Sequence, residues 1–360
     1  MEKRELFVFA GQSNMMGASV YSASKQIYFK RSYEYLHKPK RFGNKSGAFK
    51  NSAFPSGEFS YKDLSLAYRE GLVIDGKSGL DDYATNTFFC PSMCNLKLEE
   101  GKETYPFGHF SEQTAPMGAT LAPFVVDGWE KLGHQCLYTH IAKGGVSIKY
   151  YFDEIMIDEL NRCIFEYNKN SKVKLPIQEV DDNAAQYFFE KIDDFALDAT
   201  NNFSHESLGE KCFFWLQGET DASWPKDLYK LYLEVLWGQL KLRGFTRFFC
   251  IRVGYWMNDD IVNIMSAQEE FCNENPDAYM LTRVCSYMPM PSQDLEKWYA
   301  GNDIKEYYNC RDSYYGFENQ HINEKGFMII AGAMMKNLEN VLVKNEQVCL
   351  EQEKCALMLQ

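Results

Sequence analysis

Ser13 stands in Gly11-Gln12-Ser13-Asn14, directly after the apolar run 6–10 (LFVFA) and before Met15-Met16-Gly17. A small hydroxyl between two amides at the end of a buried-type strand has two readings. It is a polar turn that caps a short helix, or it is a nucleophile. Two later apolar runs end in similar turns. Residues 136–142 (CLYTHIA) lead into Lys143-Gly144-Gly145-Val146-Ser147, and 212–216 (CFFWL) lead into Gln217-Gly218-Glu219-Thr220-Asp221. A hydroxyl, a glycine pair and a primary amide at neighbouring strand ends are the parts acyl transfer needs: a nucleophile and N–H donors for an oxyanion.

The remaining part is a base, and the chain has six histidines. His134 follows a helix end and reads as surface. His140 lies inside an apolar run and reads as a satisfied core histidine. His37, His109 and His205 have no acidic residue at a suggestive spacing. His321 differs: it stands in Glu318-Asn319-Gln320-His321, in a loop before the last helical pattern. A carboxylate three residues upstream can hold the far ring nitrogen, fix the tautomer and stabilise the imidazolium. The competing reading is a histidine that merely neighbours a helix N-cap.

The elements that must position these groups are legible as periodicity. Besides the three runs above, 248–253 (FFCIRV) and 278–282 (AYMLT) are short, rich in aromatic and β-branched residues, and do not alternate with polar ones. Such runs suit strands buried on both faces of a parallel sheet. Helical patterns separate them. Residues 118–132 end at Gly133; 227–243 place Leu228, Leu231, Tyr232, Val235, Leu236 and Leu240 on one stripe and end at Gly244. Phe327, Ile330, Ala331, Met334, Met335 and Leu338 mark a last helix. The expected fold is therefore α/β, a three-layer sandwich around a mostly parallel five-stranded sheet. Residues 18–115 and 150–210 break the rhythm and read as two insertions, the second with a helical core at 184–202. One domain over 1–345 is expected, with 346–360 as a C-terminal tail.

Composition limits the function. The 360 residues carry a formal charge of −12, spread along the chain, which opposes nucleic-acid binding. No run of about 18 apolar residues suggests a membrane span. LFVFA is shorter than a signal-peptide core, so it reads as a first strand and the chain as given reads as cytoplasmic. Of eleven cysteines, Cys136, Cys212 and Cys250 fall in apolar runs and read as buried, reduced thiols. Cys90 and Cys94, near His109, lack the second cysteine pair of a zinc site, and no metal or other cofactor is expected.

The blocks GQSNMMG, AKGGVSI, WLQGETDA and ENQHINEKG occur in the order seen in the SGNH (GDSL-like) hydrolases. They are most similar to the sialate O-acetylesterase and acetylxylan esterase branch, carbohydrate esterase family six. The resemblance implies a flavodoxin-like SGNH fold, Ser13 as nucleophile, His321 as base and Glu318 in the place of the triad Asp. It implies an oxyanion hole from the N–H groups of Ser13 and Gly145 and the amide of Gln217, with Asn14 shaping the turn. Leu216 departs from the usual His, and Glu318 from Asp, so Asp312 and Glu219 stay open as the orienting carboxylate. Asp221 reads as a charge closing a turn. The 115–118 stretch matches the family's Gly-Pro block only loosely. The implied activity is removal of O-acetyl groups from a carbohydrate through an acetyl-enzyme. Tyr150, Tyr151, Trp224, Tyr255 and Trp256 are candidates for sugar faces or for packing. Two other functions remain open: an esterase or thioesterase for lipidic or aryl esters, and an inactive glycan-binding relative.

Overall fold

Rows of buried aromatic side chains set the sheet. In a computed structural model, which describes residues 3–16, 31–36, 48–51, 121–181, 184, 188–254, 261–288, 322, 324–351 and 353, five parallel strands form its core. These are β1 (Arg4–Gly11), β4 (Cys136–Ala142), β5 (Leu208–Leu216), β6 (Arg247–Ile251) and β7 (Ala278–Thr282). Phe9, Phe214, Phe249 and Tyr279 are in register across β1, β5, β6 and β7. Their rings lie 4.6, 5.1 and 5.8 Å apart in that order. Each such pair adds roughly 0.5–1.5 kcal/mol beyond its area burial. A slip of one residue would send the whole row to the other face.

The described sheet is longer than the five strands expected. β2 (Tyr33–Leu36) adds to β4 in parallel, and β3 (Ala48–Asn51) pairs with β2 antiparallel, giving the order β3-β2-β4-β1-β5-β6-β7. Both extra strands come from the first irregular stretch.

The helices are α1 (Ser13–Met16), α2 (Leu121–Lys131), α3 (Glu154–Asn170), α4 (Phe188–Asn202), α5 (Lys226–Leu242), α6 (Ile261–Glu274) and α7 (Glu324–Glu339). The chain steps from β1 to β4 on one side and from β5 through β6 to β7 on the other. Right-handed crossovers then put α2 on one face and α5 and α6 on the opposite one. α7 packs on α2; α3 packs on α5. The result is a three-layer α/β sandwich. The second irregular stretch thus supplies a layer helix, α3, whose first turn is capped by the Asp153 carboxylate on Met156 N–H at 2.9 Å.

Two of the expected helix ends are glycine caps. After α5, Gly244 N–H bonds Lys241 O and Phe245 N–H bonds Leu240 O, with Gly244 at φ +79°. After α2, Gly133 and His134 repeat the pattern on Glu130 and Trp129, with Gly133 at φ +100°. This is the Schellman arrangement, which needs a left-handed residue.

Among the described residues, Gly326–Lys344 forms one helix long and apolar enough to cross a membrane by length and composition only, and half of its apolar window is buried inside the fold. The described part of the tail also folds back. Cys349 N–H bonds Asn337 Oδ1, and Glu353 accepts the Arg283 N–H. All described cysteines are free thiols.

Candidate functional site

β1 pairs with β4 on one side and β5 on the other, and Gly11 is level with Ala142 and with Leu216. The three strands therefore end together, and their following turns emerge side by side. Counting only the five core strands, the order is 2-1-3-4-5, in which the chain reverses direction between the first and third strands. Open α/β sheets bind ligands in the crevice at that reversal. Ser13 stands there as the first residue of α1 and is 6% exposed.

Close backbone approach builds the turn. Gln12 N–H donates to Leu216 O at 3.2 Å. A Cβ on Gly11, at φ +150°, would fall 1.9 Å from Leu216 O, so no other residue fits. Gly11 O accepts from Lys143 N–H at 3.1 Å and from the Tyr151 hydroxyl at 2.5 Å. α1 is only four residues long, and His140 supports it from β4: its Nε2–H donates to Met15 O at 2.7 Å. His140 is buried, as a satisfied core histidine should be.

Asn14 joins three segments. Its Nδ2 donates to Glu219 Oε1 at 2.8 Å, and its Oδ1 accepts from Ile322 N–H at 3.1 Å. Ile322 immediately follows His321 in the chain. His321, Glu318 and Asp312 themselves lie outside the described residues, as do His37, His109, Cys90, Cys94, Tyr255, Trp256 and the 115–118 stretch.

Gln217 behaves differently from its expected role. Its Nε2 lies 2.7 Å from Asp221 Oδ2, 3.1 Å from Val146 O and 3.3 Å from Gln12 Oε1, and its Oε1 accepts from the Tyr229 hydroxyl at 2.7 Å. The residue is fully buried. An amide has two hydrogens, and three inward acceptors use both, so none is left for an oxyanion. Gly145, another residue of the expected oxyanion hole, stands in open space. It is exposed at φ +70°, and a Cβ there would touch nothing within 4 Å.

Two carboxylates sit in the turn after β5. Burial raises the Glu219 carboxyl above its usual range against the opposing bond from Asn14, and its Oε2 has no partner among the described residues. Burial likewise raises Asp221, to about 6. Asp221 Oδ2 accepts from Ile148 N–H at 2.8 Å as well as from Gln217, while its Oδ1 has no partner among the described residues. Sequence reasoning missed this use of Asp221, because its backbone partner lies 73 positions away.

The aromatic candidates divide. Tyr150 and Tyr151 are buried, and Tyr151 packs its ring on Trp215 and Phe188, so both are packing residues. Trp224 is half-buried with its ring 5.3 Å from that of Tyr232. Among the described residues no group of three or more His, Cys, Asp or Glu is placed to hold a metal ion.

No family model matches the chain, and no curated protein matches it. Among solved structures the chain is similar to a protein from Arabidopsis thaliana, at 12% identity and a TM-score of 0.40, over 94% of this chain and 99% of that one. It is also similar to a carbohydrate acetylesterase from Xanthomonas citri, at 13% identity and a TM-score of 0.43. That match covers 95% of this chain but only 57% of the acetylesterase.

Proposed function

We propose that the protein is a serine esterase of the SGNH type that removes O-acetyl groups from a carbohydrate through an acetyl-enzyme on Ser13. The observation that carries the reading is the position of Ser13. It opens α1 at the point where the sheet order reverses, between the glycine turn after β4 and the acidic turn after β5. The motif order in the sequence agrees with it, and so does the tie from Asn14 to Ile322, next in the chain to His321.

In this mechanism His321 takes the Ser13 proton as the hydroxyl attacks the acetyl carbonyl. The oxyanion is met by the N–H groups of Ser13 and Gly145, and Gln217 acts as scaffold. The tetrahedral intermediate collapses, the sugar alcohol leaves with the proton from His321, and water repeats the sequence on the acetyl-enzyme. Glu318 orients His321, with Asp312 and Glu219 as the other carboxylates to compare. The chain acts as one domain on a carbohydrate ester, within a cytoplasmic setting, and uses no cofactor.

The test is hydrolysis of p-nitrophenyl acetate, a long-chain ester and a panel of O-acetylated sugars by the protein and by Ser13→Ala. Release of acetate from a sugar, abolished in Ser13→Ala, is the expected result. Undiminished activity in Ser13→Ala removes the nucleophile, and equal rates on acetyl and long-chain esters remove the acetyl preference.

A further inference from the structure

The turn from Gly144 to Ser147 carries the exposed Gly145, and it has no regular secondary structure of its own. A loop of that kind holds its place only through side chains that reach it from outside. Two linked side chains do this, Asp221 and Gln217. The Asp221 carboxylate receives Ile148 N–H at 2.8 Å, directly after the far end of the turn. It also receives Gln217 Nε2 at 2.7 Å, and the same nitrogen lies 3.1 Å from Val146 O, inside the turn. Asp221 is held in its own place by two main-chain bonds, its N–H to Gly218 O at 3.1 Å and its carbonyl to Trp224 N–H at 2.8 Å. Ser147 in turn caps the short 3-10 turn Ile148–Tyr151, whose last residue bonds Gly11 O beside the serine.

We propose that Asp221 is a positioning residue that sets the glycine turn at the height where Gly145 N–H meets the oxyanion. This rests on the esterase reading of Ser13. Asp221 touches no reacting atom; it acts through Ile148 and Gln217. A buried carboxylate suits the task because it accepts several N–H and O–H donors at once, and charge-assisted bonds hold geometry better than neutral ones. A donor displaced from a developing oxyanion loses transition-state binding while ground-state binding is kept, so the defect belongs in kcat rather than KM.

The experiment compares Asp221→Asn and Ser147→Ala with the unaltered protein on p-nitrophenyl acetate, together with amide hydrogen exchange across the chain. Asp221→Asn keeps the shape but puts a donor where Gln217 already donates. Ser147→Ala removes the hydroxyl that caps Lys149 N–H at the end of the turn and leaves the fold's buried charge untouched. The expected result is a kcat lower by about 10- to 100-fold in Asp221→Asn, KM within about twofold, and a smaller loss of the same kind in Ser147→Ala. Exchange should quicken in the peptide covering 143–150 and stay unchanged in α5 and β6. Unchanged exchange at 143–150 in both variants, or a uniform rise over the whole chain, overturns the proposal. Unchanged kcat in both variants overturns it as well. Ser13→Ala separates this failure from that of the esterase reading: if Ser13→Ala stays active, the reading falls while the exchange arm still reports on the turn.

Discussion

Asn14 Nδ2 meets Glu219 Oε1 at 2.8 Å although the two residues are 205 positions apart. That bond ties the turn holding Ser13 to the turn after β5, and the other face of the same amide holds Ile322 N–H. One side chain thus links three segments, and under the proposed esterase reading these must keep register for Ser13 and His321 to meet. Asn14→Ala removes both bonds and leaves a buried carboxylate without its donor. The expected cost is about 2–3 kcal/mol, read as a lower urea midpoint, with a loss of esterase activity that exceeds the loss of folded protein. Glu219→Gln keeps an acceptor for Asn14 and removes a buried charge, so its stability should equal or exceed that of the parent. Should Asn14→Ala melt like the parent protein, the clamp has no energetic weight.

Two glycines of the site should respond in opposite ways to the same change. Gly11→Ala drives a methyl into Leu216 O at 1.9 Å, and the backbone of β5 has no room to yield. Little folded protein is expected. Gly145→Ala meets open space, and its cost is only the left-handed backbone, about 1–2 kcal/mol. The variant should fold, and any tilt of the N–H should appear as a reduced kcat on p-nitrophenyl acetate. Normal activity in folded Gly145→Ala would mean that the alanine holds the left-handed turn and leaves its N–H where the glycine had it.

His140 and His321 should separate cleanly. His140 is buried, with its Nε2 proton committed to Met15 O, so it is a support for α1 and not a base. His140→Gln can offer a similar N–H and should keep activity within a few fold once corrected for folded protein. His321→Gln should lose on the order of 10²-fold or more, the range of a general base. A loss confined to the His140 variant would reverse the assignment.

These residues also show how far sequence reasoning reached. The five core strands were legible because both faces of a parallel sheet are apolar, leaving uninterrupted runs such as LFVFA and CFFWL. The ends of α2 and α5 were legible because Gly133 and Gly244 supply the left-handed caps. β2 and β3 were not, since each is four residues long and they lie in polar stretches without a pattern. The use of Gln217 was misread for a different reason. A Gln after a strand advertises two donors, but only the fold shows that Val146 and Asp221 stand in front of them. Asp221 was read as a turn charge on the same ground, because nothing local predicts a partner at Ile148.

The buried Asp221 also leaves a mark on stability. Its folded pKa is about 6 against an ordinary 3.8, with burial as the main cause and its hydrogen bonds opposing. Between those values the folded chain holds a proton that the unfolded chain has released. More protons bound when folded means that stability falls as pH rises through this window, and the slope vanishes above about pH 6. The difference of roughly two pH units corresponds to about 3 kcal/mol. Asp221→Asn has no such proton to lose. Urea midpoints for both proteins, taken between about pH 4 and pH 7, isolate the effect, because Glu234 and Glu353, which burial also raises, are common to both and cancel, and Glu219 cancels apart from the upward push the Asp221 charge gives it. The parent should lose stability relative to Asp221→Asn on going from pH 4 to pH 6, and the two should run parallel beyond. Parallel curves over the whole range would mean that the carboxyl ionises in the fold as it does in water, and that its hydrogen-bond donors, Ile148 and Gln217 among them, fully offset its burial.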